Sequence, residues 1–167
     1  MRYHKMKACP KSGLYLMESN VLSEADILTM ANQLARKRLA KGRSISSPQT
    51  VKTYLQNLLQ DYEHEVFAVL LLDNKHKVIG FEELFRGTIT QAPVYPREVV
   101  KLALERNAAA IIMTHNHPSG DPTPSQADIE LTKQLQKALA LVDVRVLDHI
   151  VVGMEGCESL AEKGLLT

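Results

Sequence analysis

A chain of 167 residues holds one domain with a full hydrophobic core and is short for two. Its composition, 45% hydrophobic and 23% charged, is that of an ordinary globular protein, which excludes a disordered or membrane-embedded class. Twenty basic residues against 19 acidic ones leave a net charge of +1, so charge alone marks no nucleic-acid partner.

The apolar run near the core, Phe67 to Leu72, is far below bilayer length, so no membrane partner is expected. The basic start, Met1 to Lys5, is not followed by the apolar stretch of a secretory signal, and the expected location is cytoplasmic. Cys9 and Cys157 show no CxxC spacing and read as packed, inert thiols.

In chain order, Ser23-Glu24-Ala25-Asp26 opens a helix that runs through Leu34 to Gly42, a left-handed stop. Its end carries Arg36, Lys37, Arg38, Lys41 and Arg43, a cluster that complements the helix dipole and could also meet phosphate. Ser46-Ser47-Pro48 starts a second helix with Val51, Tyr54, Leu55, Leu58 and Leu59 as its apolar stripe. Residues 1–45 thus form an N-terminal helical extension, and residues 46–167 the compact domain.

Val66 to Asp73 and Lys77 to Phe85, joined by Asn74-Lys75-His76, predict a hairpin. Thr88, Pro93 and Pro96 interrupt the pattern before a helix over Arg97 to Asn107. Ala108 to Met113 is apolar without alternation, as in a strand covered on both faces, and leads into two histidines. A helix over Gln126 to Leu141 and a final strand over Val144 to Val152 complete the set.

The chemistry concentrates between Thr114 and Asp128. His115 and His117 stand two apart at a strand end, so alternation sends both imidazoles to one side and Asn116 to the other. Asp128 shares the helical phase of Leu131, Leu135, Ala138 and Val142, the stripe that faces the sheet, so its carboxylate points back at the histidines. Two imidazoles and one carboxylate match catalytic zinc, Zn2+, which keeps a fourth position for water. Ser125 fits both a helix cap and a hydrogen-bond donor to a developing oxyanion. Asp121, between Gly120 and Pro122, reads as a turn residue rather than a ligand. His149 reads as a core histidine or one that supports a ligand. A proton-handling carboxylate is also needed, and Glu82 and Glu83 project to opposite faces of one strand; Gly80 leaves space beside Glu82 without deciding the choice.

These residues resemble the JAMM signature of MPN-domain metalloproteases: an upstream Glu, then HxH, seven residues, Ser, two residues and Asp, met here by His115, His117, Ser125 and Asp128. Gly87-Thr88, Tyr95 to Val100, the His115 to Pro124 loop and Leu147-Asp148-His149 resemble the RadC family in particular, over residues 46 to 163. The resemblance assigns the motif's Glu to Glu82. It implies an α/β fold, a three-layer α/β/α sandwich around a mixed central sheet of cytidine-deaminase-like type, with zinc at one sheet edge. Deaminase chemistry is not implied, because HxE and PCxxC elements are absent. Full-length RadC proteins carry an N-terminal helix-hairpin-helix region that does not match here, and compact versions resemble RadC-like proteins of prophages and mobile islands.

Two functions are expected to compete. The first is a zinc-dependent hydrolase, a metallopeptidase or isopeptidase acting on a protein or peptide through metal-activated water. The second, suggested by the family's DNA-repair name, is a nucleic-acid-associated protein or nuclease in which the metal acts on DNA or organises a contact with it.

Overall fold

A computed structural model describes residues 2–87 and 94–167. Thr88 and Pro93, two of the pattern breaks noted above, lie outside the described residues.

The central sheet has five strands in the order β5-β4-β6-β7-β8. They are β4 (Glu65–Leu72), β5 (Val78–Gly87), β6 (Ala110–Asn116), β7 (Arg145–Val152) and β8 (Cys157–Ser159). β4 and β5 form the expected hairpin, with Asp73 Oδ1 accepting the amides of Lys75 and Lys77 across the turn. β4 then pairs antiparallel with β6, β6 parallel with β7, and β7 antiparallel with β8, so the sheet is mixed. The parallel pair needs a crossover, supplied by α4 (Gln126–Ala140).

Helices α1 (Glu24–Arg38) and α2 (Pro48–Leu59) lie on one face, α3 (Pro96–Glu105) and α4 on the other. The alternation of β4 divides its residues between them. Val66, Leu70 and Leu72 join Leu55, Leu59 and Ile112 under α2, while Phe67, Val69 and Leu71 join Met113, Val99, Leu135 and Leu139 under α3 and α4. The architecture is the three-layer α/β/α sandwich that the family resemblance implied.

Three features differ from the sequence reading. Residues before α1, within the stretch read as a helical extension, form a small antiparallel sheet, β1 (Arg2–Tyr3), β2 (Met6–Ala8) and β3 (Tyr15–Met17). Helix α1 ends at Arg38, because Leu39 is drawn into the core; Gly42 adopts a left-handed φ of 87° in the turn that follows. Ala35 and Leu39 share the α2 core, so the extension packs as part of the sandwich. β8 follows the strand read as final; it is three residues long, too short for periodicity to reveal.

Candidate metal centre

The site stands where β4 begins and β6 ends. His115 is fully inside the sheet at 2% exposure, and His117 is half-buried just past the strand, its amide donating to the Val152 carbonyl at 2.8 Å. That bond prolongs the parallel pairing with β7 and keeps the alternation, so both rings fall on the α4 side. Their Nε2 atoms are 3.0 Å apart.

Asp128 occupies the third position of α4, where the chain closes a capping box. Ser125 Oγ accepts the Asp128 amide at 3.1 Å, and Asp128 Oδ2 accepts the Ser125 amide at 2.7 Å. The carboxylate thereby gains one fixed orientation. Oδ1 lies 3.2 Å from His115 Nε2, and Oδ2 lies 3.3 Å from His117 Nε2. A tetrahedral cation ~2.0–2.1 Å from each ligand sets the ligand atoms about 3.3 Å apart; each ring nitrogen meets that distance to its own Asp128 oxygen, and one ligand atom from each of the three residues lies within 4.8 Å of the others.

Ring orientation supports the same reading. His117 Nδ1 faces the Asp121 carbonyl at 2.8 Å, which can only accept, so Nδ1 carries the proton and a neutral ring keeps its lone pair on Nε2. The Asp121 side chain is turned into its own loop, accepting from the Thr123 amide and hydroxyl at 2.9 and 2.7 Å. Burial opposes the charge on Asp128, yet the hydrogen bonds that His115 and His117 donate from Nε2 when their rings are protonated outweigh it and hold the carboxyl well below the usual carboxylate range. His117 is raised, first through its hydrogen bond to Asp128 and against burial, with the Asp121 carbonyl and the Glu65 charge adding to it. Burial pushes His149 well below the ordinary histidine value.

The structure does not bring Glu82 to this group. Glu82 pairs with Val69, four residues along β4 from Glu65, or ~13 Å at ~3.3 Å per residue. Its carboxylate is taken by the guanidinium of Arg106 at the end of α3. Glu83 points to the opposite face and accepts from Tyr62 and Arg86 at 2.6 and 3.0 Å. A carboxylate whose charge reaches His117 is that of Glu65, absent from the sequence reading. Phe67 pairs with His115, and the same register carried two residues further sets Glu65 opposite His117 on the same face. Glu65 has no ion pair among the described residues. A signal existed only in pairing, since β4 and β6 are far apart in the chain.

Asn116, between the two histidines, points to the other face as its position requires. It clamps the start of β4: Oδ1 accepts the Val66 amide at 2.7 Å, and Nδ2 donates to the His64 carbonyl at 3.0 Å. The backbone on both sides of Glu65 is thus tied to the strand that bears the histidines.

Comparison with known proteins agrees with this geometry. A family model described as a RadC-like JAB domain matches residues 45–165. The chain belongs to the RadC-like JAB-domain family. A UPF0758 protein of Vibrio cholerae is 52% identical over 157 residues, covering 94% of this chain and 99% of the relative. Another RadC-family relative, a UPF0758 protein of Methylibium petroleiphilum, is 58% identical over 142 residues, covering 85% of this chain and 64% of the relative. A UPF0758 protein of Halorhodospira halophila is 57% identical over 139 residues, covering 83% and 62%. The match thus spans nearly all of the first relative and just under two thirds of the other two. Family membership is compatible with a metal-dependent hydrolase, and His115, His117 and Asp128 form a possible metal site.

Proposed function

We propose that this RadC-like domain is a zinc-dependent hydrolase of amide bonds, a peptidase or isopeptidase acting in the cytoplasm. The observation that carries the proposal is the set of three donors grouped within 4.8 Å of one another, with the rear nitrogen of each imidazole already hydrogen-bonded. Two imidazoles and one carboxylate suit zinc better than magnesium or calcium, which ask for more oxygen. Zinc held there supplies Lewis acidity that acidifies water and polarises a carbonyl.

The protein's own groups supply the rest. Glu65, rather than Glu82, is the carboxylate we assign to take the proton of the attacking water and return it to the leaving amine. The register opposite His117 supports this, as does the engagement of Glu82 by Arg106. The proton of the Ser125 hydroxyl is not used in accepting the Asp128 amide, which leaves it for a developing oxyanion.

Metal analysis of the wild type beside His117→Ala comes first, followed by a proteome-wide cleavage screen of the wild type, Glu65→Gln and Glu82→Gln. Zinc retention with cleavage lost only in Glu65→Gln is expected. Loss confined to Glu82→Gln would return the role to that residue, and identical profiles in all three would remove the peptidase reading.

A nucleic-acid role rests on one observation, the exposed cluster of Arg36, Arg38, Lys41 and Arg43. The cluster belongs to the α1–α2 layer, whereas the histidines face α4. DNA binding that weakens steeply with salt and disappears when the four are neutralised would favour this second reading.

A further inference from the structure

Behind the candidate ligands lies a hydrogen-bonded chain that the proposed reaction does not use. His115 Nδ1 is 2.8 Å from His149 Nε2, His149 Nδ1 is 2.6 Å from Thr132 Oγ1, and Thr132 Oγ1 is 2.6 Å from the Asp128 carbonyl. His149 and Thr132 have no exposed surface, and the Phe67 ring stands edge-on to His149. The chain begins on one candidate ligand and ends on the backbone of another.

Its direction can be read from the carbonyl end. A carbonyl only accepts, so the Thr132 hydroxyl donates to Asp128 and its oxygen must accept from His149. Nδ1 of His149 therefore bears the proton, and a neutral ring then has a bare Nε2. That nitrogen can only accept, which obliges His115 to carry a proton on Nδ1, so that a neutral His115 ring has its lone pair on Nε2, the atom facing His117 and Asp128. The opposite polarity would put a proton on His115 Nε2 and close it to a cation.

We infer that His149 and Thr132 are positioning residues that set the His115 tautomer, so that the cage is built for a divalent cation before one arrives. The inference rests on the zinc-site reading above. It adds that the selectivity of His115 for its Nε2 face comes from α4 and β7, the same elements that deliver Asp128 and support the His117 loop.

The test reads zinc affinity by competition with a chromophoric chelator and tautomers by nitrogen-15 NMR of the imidazoles. In the zinc-free wild type, His149 and His115 should both report protonated Nδ1. His149→Phe keeps a ring but removes the acceptor, and should weaken zinc binding about 10- to 100-fold. His149→Gln presents an amide oxygen as acceptor and should recover most of that loss. Thr132→Val keeps the shape and should shift the tautomer populations of both rings while the fold persists, which keeps the question decidable if His149→Phe does not fold. Wild-type affinity in both His149→Phe and Thr132→Val, or a wild-type His149 protonated on Nε2, would overturn the inference and leave the zinc site standing. A wild type that takes up no zinc would overturn the zinc-site reading, and this one with it.

Discussion

Asn116 shows how one side chain between two others can join a site. Its neighbours point toward α4, while its amide grips the backbone on either side of Glu65 from the opposite face. Asn116→Ala removes these buried bonds and leaves the Val66 amide without its partner, at a cost of ~1–3 kcal/mol. The expected outcome is a lower midpoint in urea, a larger loss of turnover than of zinc affinity, and an unchanged zinc stoichiometry. Equal losses in turnover and affinity would show that Asn116 holds the histidines rather than the carboxylate. His115, His117 and Asp128 were legible in the sequence because strand alternation and helical phase act over a few residues. Glu65 was not, because its place depends on which strand pairs with β6 and in what register. Glu82 and Glu83 drew attention through a local pattern, and the register takes both away from the histidines.

At the level of elements, the loop from Pro118 to Pro124 is held by a close backbone approach. A Cβ on Gly153 would meet the Gly120 carbonyl oxygen at 2.3 Å and the Pro122 nitrogen at 2.9 Å, so only glycine lets β7 end against this loop. Gly153→Ala should push the loop away, separate His117 Nδ1 from the Asp121 carbonyl, and cost ~1–3 kcal/mol. Calorimetric zinc titration should show weaker binding than the wild type; unchanged binding would mean that the loop does not orient His117. The long elements were readable because each shows a full period, whereas β1, β2, β3 and β8 have two or three residues apiece. The first three are secured by tertiary contacts, with Tyr3, Met6 and Met30 packed together and Asp26 bonded to Lys5 and His4 at 2.8 and 2.7 Å. Those two bonds, Lys5 first, hold Asp26 well below the ordinary carboxylate range. The depressed value means that its stabilising contribution is present above the unfolded carboxylate pKa, ~3.9, and is lost as pH falls through the folded value. NMR of the Tyr3 and Tyr15 rings should show their packing persist below pH ~4 and loosen on further acidification; Asp26→Asn should remove that pH dependence. A transition unchanged in Asp26→Asn would place its origin elsewhere.

For the molecule as a whole, the sandwich does one thing with its two faces. Its α3–α4 side gathers the donors, and its α1–α2 side anchors the strand start that carries Glu65. The hairpin and the strand covered on both faces, β6, were visible in the sequence pattern, whereas the layer order came from the family resemblance. The place where the donors meet, at the end of the central strand β6, came from topology, with β4 antiparallel and β7 parallel to that strand. The most direct test is crystallography of the zinc-loaded protein with data collected on both sides of the zinc absorption edge. One anomalous peak is expected ~2.0–2.1 Å from both Nε2 atoms and from an Asp128 oxygen, with the Glu65 carboxylate facing it across the open position. A stoichiometric zinc ion bound elsewhere, or a peak lacking any one of these three residues, would contradict the site.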